Sequence, residues 1–467
     1  MGNSLAFMVL VAWPAAVAVI FSRLNYEKAV IWSFLLGYLL LPPVVTINLP
    51  MLPNLDKYSV TAMAALAGAV ILRQNAQVPW IRPEGWVLIL VLLGIFVPFV
   101  TAVTNSEPLI EGVSFRPGLS LYDGISGMVG GVLEIIPFIL GYMVLSSPAA
   151  IRQWLLALVV AVLGYSLPML IEVRLSPQLN VWIYGFFAHD FGQMMRQGGF
   201  RPMVFLSHGL WVALLASVAV IAAAVQVRES DSTLRSRNLA ILLYLALVLV
   251  LCKSVAALLY AIALVPLVLL TPPRLQVRLA GLVALVVLSY PLARWLDLVP
   301  TETIGNIALD YSADRAQSLT FRFDNEKVLL ERASQKLWAG WGGWTRNLIV
   351  DPTNGRISSI SDGQWVVTMT TSGVLGYLAS FGLLCGSVMR IALARGRSRL
   401  DGWTAGLCLI MVASLIDLIP NATLTSLTWL SAGALAGLAA RGIVPATGQD
   451  PVPERMAARP RLRTIIG

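Results

Sequence analysis

The sequence predicts an all-α fold: a polytopic transmembrane helix bundle of about twelve to thirteen helices, with a long loop on one side that contains short amphipathic helices. Three observations lead there. Hydrophobic types make up 57% of the 467 residues and charged types only 12%, about half the charged share of an ordinary soluble domain. A soluble fold of that make-up could not cover its own surface with polar groups, which excludes soluble enzymes, nucleic-acid binders and disordered scaffolds. Apolar stretches close to the length that crosses a hydrocarbon core recur along the chain. In lipid every backbone polar group must be satisfied within its own segment, so these stretches are helices and not open sheet.

The stretches fall at about 4–21, 29–45, 58–72, 86–103, 125–145, 155–171, 204–225, 239–252, 254–271, 279–296, 366–389, 403–419 and 422–440. That is a count of thirteen, in which 58–72, 239–252 and 254–271 are short or nearly fused, so twelve is also consistent. Short loops with Arg23, Lys28, Arg73, Arg82, Arg152, Arg228, Arg235, Arg237, Arg274, Arg278, Arg390, Arg395, Arg397 and Arg399 share one side. The positive-inside rule places them in the cytoplasm, and the net charge of +9 is read by location and not by its sum. The tail 441–467 is basic and Pro-rich, and is expected to be disordered near anionic lipid.

Cys252, Cys385 and Cys408 lie apart in apolar stretches and read as small buried hydrophobes, with neither a disulfide framework nor a zinc spacing. With only His189 and His208 in the chain, a multi-histidine metal site is not available, and no cofactor is expected. The first apolar run is followed by more membrane, so no cleavable signal peptide is expected. No inverted repeat is visible, which weighs against the commonest transporter designs.

The long loops lie on the other side, at about 104–124, 172–203 and 298–365. They keep basic residues mixed with acids and aromatics. The second begins with Glu172 and Arg174, passes Trp182, Tyr184, Phe186 and Phe187, and ends on Arg196, Gly198, Gly199, Phe200, Arg201 and Pro202. Two guanidiniums flanking a glycine pair at a helix start suit a phosphate, because the backbone can approach and the helix terminus favours an anion. The competing reading is arginines that snorkel to lipid headgroups.

In the third loop, Leu329, Leu330, Ala333 and Leu337 keep helical spacing, which predicts an amphipathic helix over 324–336 on the membrane surface, with Arg322 just ahead of it. Gly340, Gly342 and Gly343 then predict a tight turn bracketed by Trp338, Trp341 and Trp344, suited to an apolar ligand or a sugar face, or else to an interfacial aromatic belt. Asp362 stands at the boundary of the next helix, as its N-cap or as a base. Gly373 and Gly376 permit close packing. Glu134, Lys253, Arg294 and Asp417 are isolated charges in or beside apolar stretches, where charge is expensive and a partner is expected. For Glu134 that partner is expected to be an arginine. His208, seven residues after Arg201, and His189, beside Asp190, read first as ordinary loop residues and second as acid or base groups.

Taken together, RQGGFRP at 196–202, Arg322, AGWGGW at 339–344 and SDGQW…SGVLGYL over 361–378 resemble the O-antigen ligase/polymerase superfamily. The resemblance covers 155–390, which defines a core between N-terminal helices over 1–154 and C-terminal helices over 391–440. It implies a metal-independent glycosyltransferase at the outer, periplasmic face of the bacterial inner membrane. Such enzymes move a glycan from an undecaprenyl-pyrophosphate carrier to the hydroxyl of an acceptor glycan, glycolipid or protein. By position, the family's pyrophosphate-binding arginines correspond to Arg201, with Arg196, and to Arg322. The ligases' histidine falls near Asp362, where this chain has none. That makes Asp362 the substitute base and tilts the expectation towards a polymerase over a ligase. Arg196, Gly199, Arg174, Lys253, Gly342, Trp344 and His208 are the expected substrate contacts. Partners implied are the lipid-linked donor, the acceptor, the bilayer and other polysaccharide-assembly proteins, without nucleic acid. A lipid-linked sugar transporter or flippase and a structural assembly subunit are the rival classes.

Overall fold

The computed structural model describes residues 2–49, 53–73, 79–196, 198–311, 313–394 and 400–442. It is an all-α bundle, and each of the thirteen predicted stretches is a helix. Eight are long and apolar enough to cross a membrane: α1 (Ser4–Arg23), α4 (Gly85–Thr104), α5 (Leu121–Val144), α6 (Pro148–Leu175), α8 (Gly209–Glu229), α9 (Ser232–Leu251), α11 (Pro273–Trp295) and α14 (Gln364–Leu393). Five more have 15 or 16 residues: α2 (Tyr26–Leu40), α3 (Lys57–Ile71), α10 (Val255–Leu270), α15 (Gly402–Asp417) and α16 (Ser426–Arg441). The chain is a multi-pass membrane protein. The expectations placed on Arg395, Arg397, Arg399 and the tail beyond Gly442 lie outside the described residues.

Helix starts follow from local chemistry. Asn3, Asp56, Ser120, Ser147, Asp401 and Thr425 each accept a bond from a first-turn N–H that has no partner inside the helix. The tightest helix pair is α5 against α16. A β-carbon at Gly141, Gly433 or Gly437 would sit about 2 Å from a carbonyl oxygen of the facing helix, so glycine is what lets these backbones touch.

Arginines tie the helix ends of one face. Arg390 pairs with Glu84, Arg441 reaches Ser146 and the Pro79 carbonyl, and Arg228 reaches the carbonyls of Val268 and Thr271.

On the opposite face the long loops form a cap. It contains a hairpin of β1 (Leu109–Glu111) and β2 (Ser114–Arg116), a short helix α7 (Leu179–Tyr184), a second hairpin of β3 (Met195–Arg196) and β4 (Gly199–Phe200), and α12 (Thr301–Tyr311) with α13 (Ala313–Ser334). The amphipathic helix predicted over 324–336 is thus part of the longer α13, and Arg322 lies inside it rather than ahead of it. Leu329 and Ala333 are fully buried, and Glu326 forms an ion pair with Arg294 at 3.3 Å, so the helix is packed on the bundle and not laid on lipid. Arg294 thereby has its partner.

The tryptophan-glycine turn is the cap's keystone. Helix α14 breaks at Gly373, whose φ is +65°. The break frees the carbonyls of Thr370 and Thr371 and the amides of Val374 and Leu375. All four are taken by the turn: Trp341 and Gly342 donate to the first two, and Leu337 and Trp338 accept from the others, at 2.8 to 3.1 Å. A β-carbon on Gly340 or Gly373 would lie 2.4 Å from facing backbone, so both glycines are structural. Beside it, the guanidinium of Arg332 stacks on Trp341 at 3.7 Å and bonds Glu111. Arg116 and Arg346 fasten to cap carbonyls around it.

Candidate functional site

The charged residues expected at the site fall mainly in two groups on the cap side. The first is built on the hairpin β3–β4 and the turn between α9 and α10. Gly198 takes the hairpin turn at φ +68°. Lys253, itself at φ +51°, projects its ammonium over the hairpin and donates to the Arg196 carbonyl at 3.1 Å. A β-carbon on Gly199 would fall 2.2 Å from that Nζ, so Gly199 makes room for a lysine of this chain. Sequence spacing suggested room for a ligand's approach instead.

Arg201 returns the contact, donating from Nη2 to the Lys253 carbonyl at 3.1 Å. Its Nε is buried without a partner. Gly209 leaves space for its side chain. Burial and then the charge of Arg196 lower the Arg201 pKa, although a guanidinium stays protonated at any ordinary pH. Among the described residues no carboxylate lies within ion-pair distance of Arg196, Arg201 or Lys253.

Glu172 is the nearby acid, and it is consumed. Its carboxylate accepts from the amides of Met203 and Val204 at 2.7 Å and of Leu179 at 3.0 Å, which pins both ends of the loop that presents Arg201. His208 caps α8 by accepting from the Leu210 amide at Nδ1, and its Nε2 meets Gln193 at 3.2 Å. The ring of His189 stands 4.6 Å from it, edge to face. Burial, His189 and the two arginines push the His208 pKa down to about 4, so this ring is neutral at ordinary pH.

The second group is the ion pair of Arg322 and Asp362, with Nε to Oδ2 at 3.3 Å. Forty residues apart in sequence, they meet because α13 packs on α14 and because the turn after α15 fixes the start of α14. Gly363 is the N-cap there, without a side-chain bond, so Asp362 is not the cap that its position suggested. A β-carbon on Gly363 would lie 2.0 Å from the Ile419 carbonyl, and the Gln364 amide donates to the carbonyls of Leu418 and Asn421. Side-chain exposures of 34% and 40% leave the pair open to solvent. Arg322 uses only Nε, so among the described residues its two Nη groups are free to bind an anion.

Asp417 and Tyr260 stand close enough to Arg322 to feel its charge. Asp417 accepts from Tyr260, Asn421 and Thr423 at 2.6 to 3.1 Å, which fills most of its acceptor capacity and makes it a brace. Tyr260 is the group sequence reasoning missed; a tyrosine in an apolar helix gives no periodic signal. It lies five residues into α10, the helix that begins two residues after Lys253.

The remaining predicted contacts sit apart. Arg174 is exposed on the last turn of α6. Gly342, at φ +80°, packs against Leu119 within the turn, and Trp344 is 75% exposed on the outside of the cap. No family model matches the chain, and no curated protein matches it.

Proposed function

We propose that the protein is a polysaccharide polymerase of the bacterial inner membrane. It transfers a glycan from an undecaprenyl-pyrophosphate donor to the hydroxyl of an acceptor glycan, with its site on the periplasmic face. The observation that carries this reading is an open Arg322–Asp362 pair on the same side of the bundle as three cations that have no carboxylate partner among the described residues. Cations without acids are suited to a pyrophosphate, and a solvent-reachable carboxylate on the same side is suited to a hydroxyl proton.

In this scheme the acceptor oxygen attacks the anomeric carbon. The bond from that carbon to the pyrophosphate oxygen breaks, its electron pair leaves with the pyrophosphate, and the hydroxyl proton passes to Asp362. Arg201, Arg322, Lys253 and Arg196 stabilise the leaving charge, so no separate general acid is needed. One carboxylate and attack from the far side invert the anomeric centre. A ligase that delivers the same donor to a glycolipid or to protein uses the same groups and differs in the acceptor.

The test is turnover of a synthetic undecaprenyl-pyrophosphate oligosaccharide by purified protein. Wild type lengthens the glycan and releases the carrier, whereas Arg322→Ala and Arg201→Ala, equally folded, do not. Full-length product from both variants would sink the proposal. A second reading, transport of a lipid-linked sugar, is favoured by one observation, a glutamate that lines cavities between the helices. Movement of the donor across vesicles without any change in glycan length would select it.

A further inference from the structure

Two cavities of about 320 and 300 Å³ run inward from the cap side, one between α4, α5 and α14, the other between α3, α5 and α16. They meet at Gly130, Glu134, Leu424 and Trp429, which line both. Glu134 is thirteen residues into α5 and ten from its end, roughly 20 and 15 Å from the two ends and so near the middle of the bundle. Among the described residues the arginine partner expected from its sequence position is not found. Among the described residues its carboxylate meets one donor, the Trp429 indole N–H at 3.4 Å, and no cation. An intramembrane carboxylate without a counter-charge calls for a ligand or a role.

The walls say which ligand. The hydroxyls of Thr368, Thr371 and Ser380 each donate back to a carbonyl of α14, so what they turn outward is lone pairs. The Gln364 amide nitrogen bonds Thr368, which leaves its carbonyl oxygen as an acceptor. Together with Glu134 these supply a row of acceptors on the α14 side of the first cavity, with donors in the Trp429 indole, Ser372 and, in the second cavity, Tyr58. Gly130 adds an independent mark. Its φ is helical and a β-carbon there would meet nothing within 4 Å, so neither conformation nor packing calls for glycine, which weakens a helix interior. What glycine provides at that place is room beside Glu134.

We infer that the Glu134 junction is a binding site for a small monovalent cation, either an alkali metal ion or a primary ammonium group, entering from the cap side. Neither Arg322 nor Asp362 lines the two cavities, and the site does not depend on the transferase reading. The experiment is thermal unfolding of the purified full-length protein in nanodiscs in choline chloride, titrated with sodium, potassium or ethylammonium chloride. At least one of the three raises the midpoint saturably by about 2 °C or more in wild type. A sodium or potassium response identifies the metal ion, and one confined to ethylammonium the ammonium group. Glu134→Gln and the cavity-filling Gly130→Leu lose the rise, while Arg322→Ala keeps it. Should either site variant fail to fold, the other carries the comparison. Equal rises in wild type and the folded variant, or no rise with any of the three salts, overturn the site.

Discussion

In the proposed transfer, Asp362 serves as the base and Arg322 as the cation, and their substitutions separate the two roles. Asp362→Asn keeps the shape and the contact to Arg322 but cannot take a proton. It is expected to lower kcat about 10²- to 10⁴-fold with KM nearly unchanged, measured on the purified protein with the lipid-linked donor. Arg322→Lys keeps charge but loses the planar fork, and lowers kcat more than Arg196→Lys does, since Arg196 is exposed and contributes its carbonyl to Lys253. His208 gives a pH prediction at the same scale. Folded, it stays neutral down to about 4, because burial and neighbouring cations oppose its charging. Unfolded, it takes a proton near its usual value of about 6.5. Stability from this group is therefore complete above that value and is lost as pH falls towards 4. His208→Asn, which retains a side-chain cap, flattens the melting midpoint between those pH values.

Helix α14 and the turn that repairs it are the element on which the site hangs. The break at Gly373 exposes four backbone groups, and the 337–342 turn satisfies them all. Gly373→Ala places a β-carbon 2.4 Å from the Trp338 backbone at a φ of +65°. It is expected to destabilise by about 1–3 kcal/mol or more and to cut activity with it, read by thermal unfolding and turnover together. Gly343→Ala, three residues past Gly340, meets nothing within 4 Å and leaves both unchanged. The sequence marked this turn as a place for ligand packing because glycines and tryptophans suit both uses. What decides between them is a hydrogen-bond partner thirty residues away, which spacing does not reveal. The length of α13 was hidden for a related reason. Only its C-terminal half buries a stripe, through Leu329 and Ala333, whereas Phe321 and most residues before it are exposed and leave no periodicity to read.

At the scale of the molecule, the bundle was legible because lipid imposes one solution on apolar stretches of this length, and thirteen stretches became thirteen helices. The cap was not. Arg116, Arg332 and Arg346 converge around Glu111 from segments more than two hundred residues apart, and the partners of Glu172 and Lys253 are likewise set by the tertiary fold. Of the predicted site, Arg322 with Asp362 and Arg196, Gly199 and Arg201 with Lys253 are each brought together, with His208 beside the latter group, while Arg174, Gly342 and Trp344 are not. Arg322, Asp362, Arg201 and Lys253 all lie on the cap side of the bundle, so the proposed transferase would act on a carrier already delivered to that face.

The most direct measurement is the fate of lipid-linked glycan in cells lacking the protein, complemented with wild type or with Arg322→Ala. Single repeat units are expected to accumulate on undecaprenyl pyrophosphate in the null strain and with Arg322→Ala, and to be cleared into long chains with wild type. A carrier pool that is the same in all three strains would contradict that expectation.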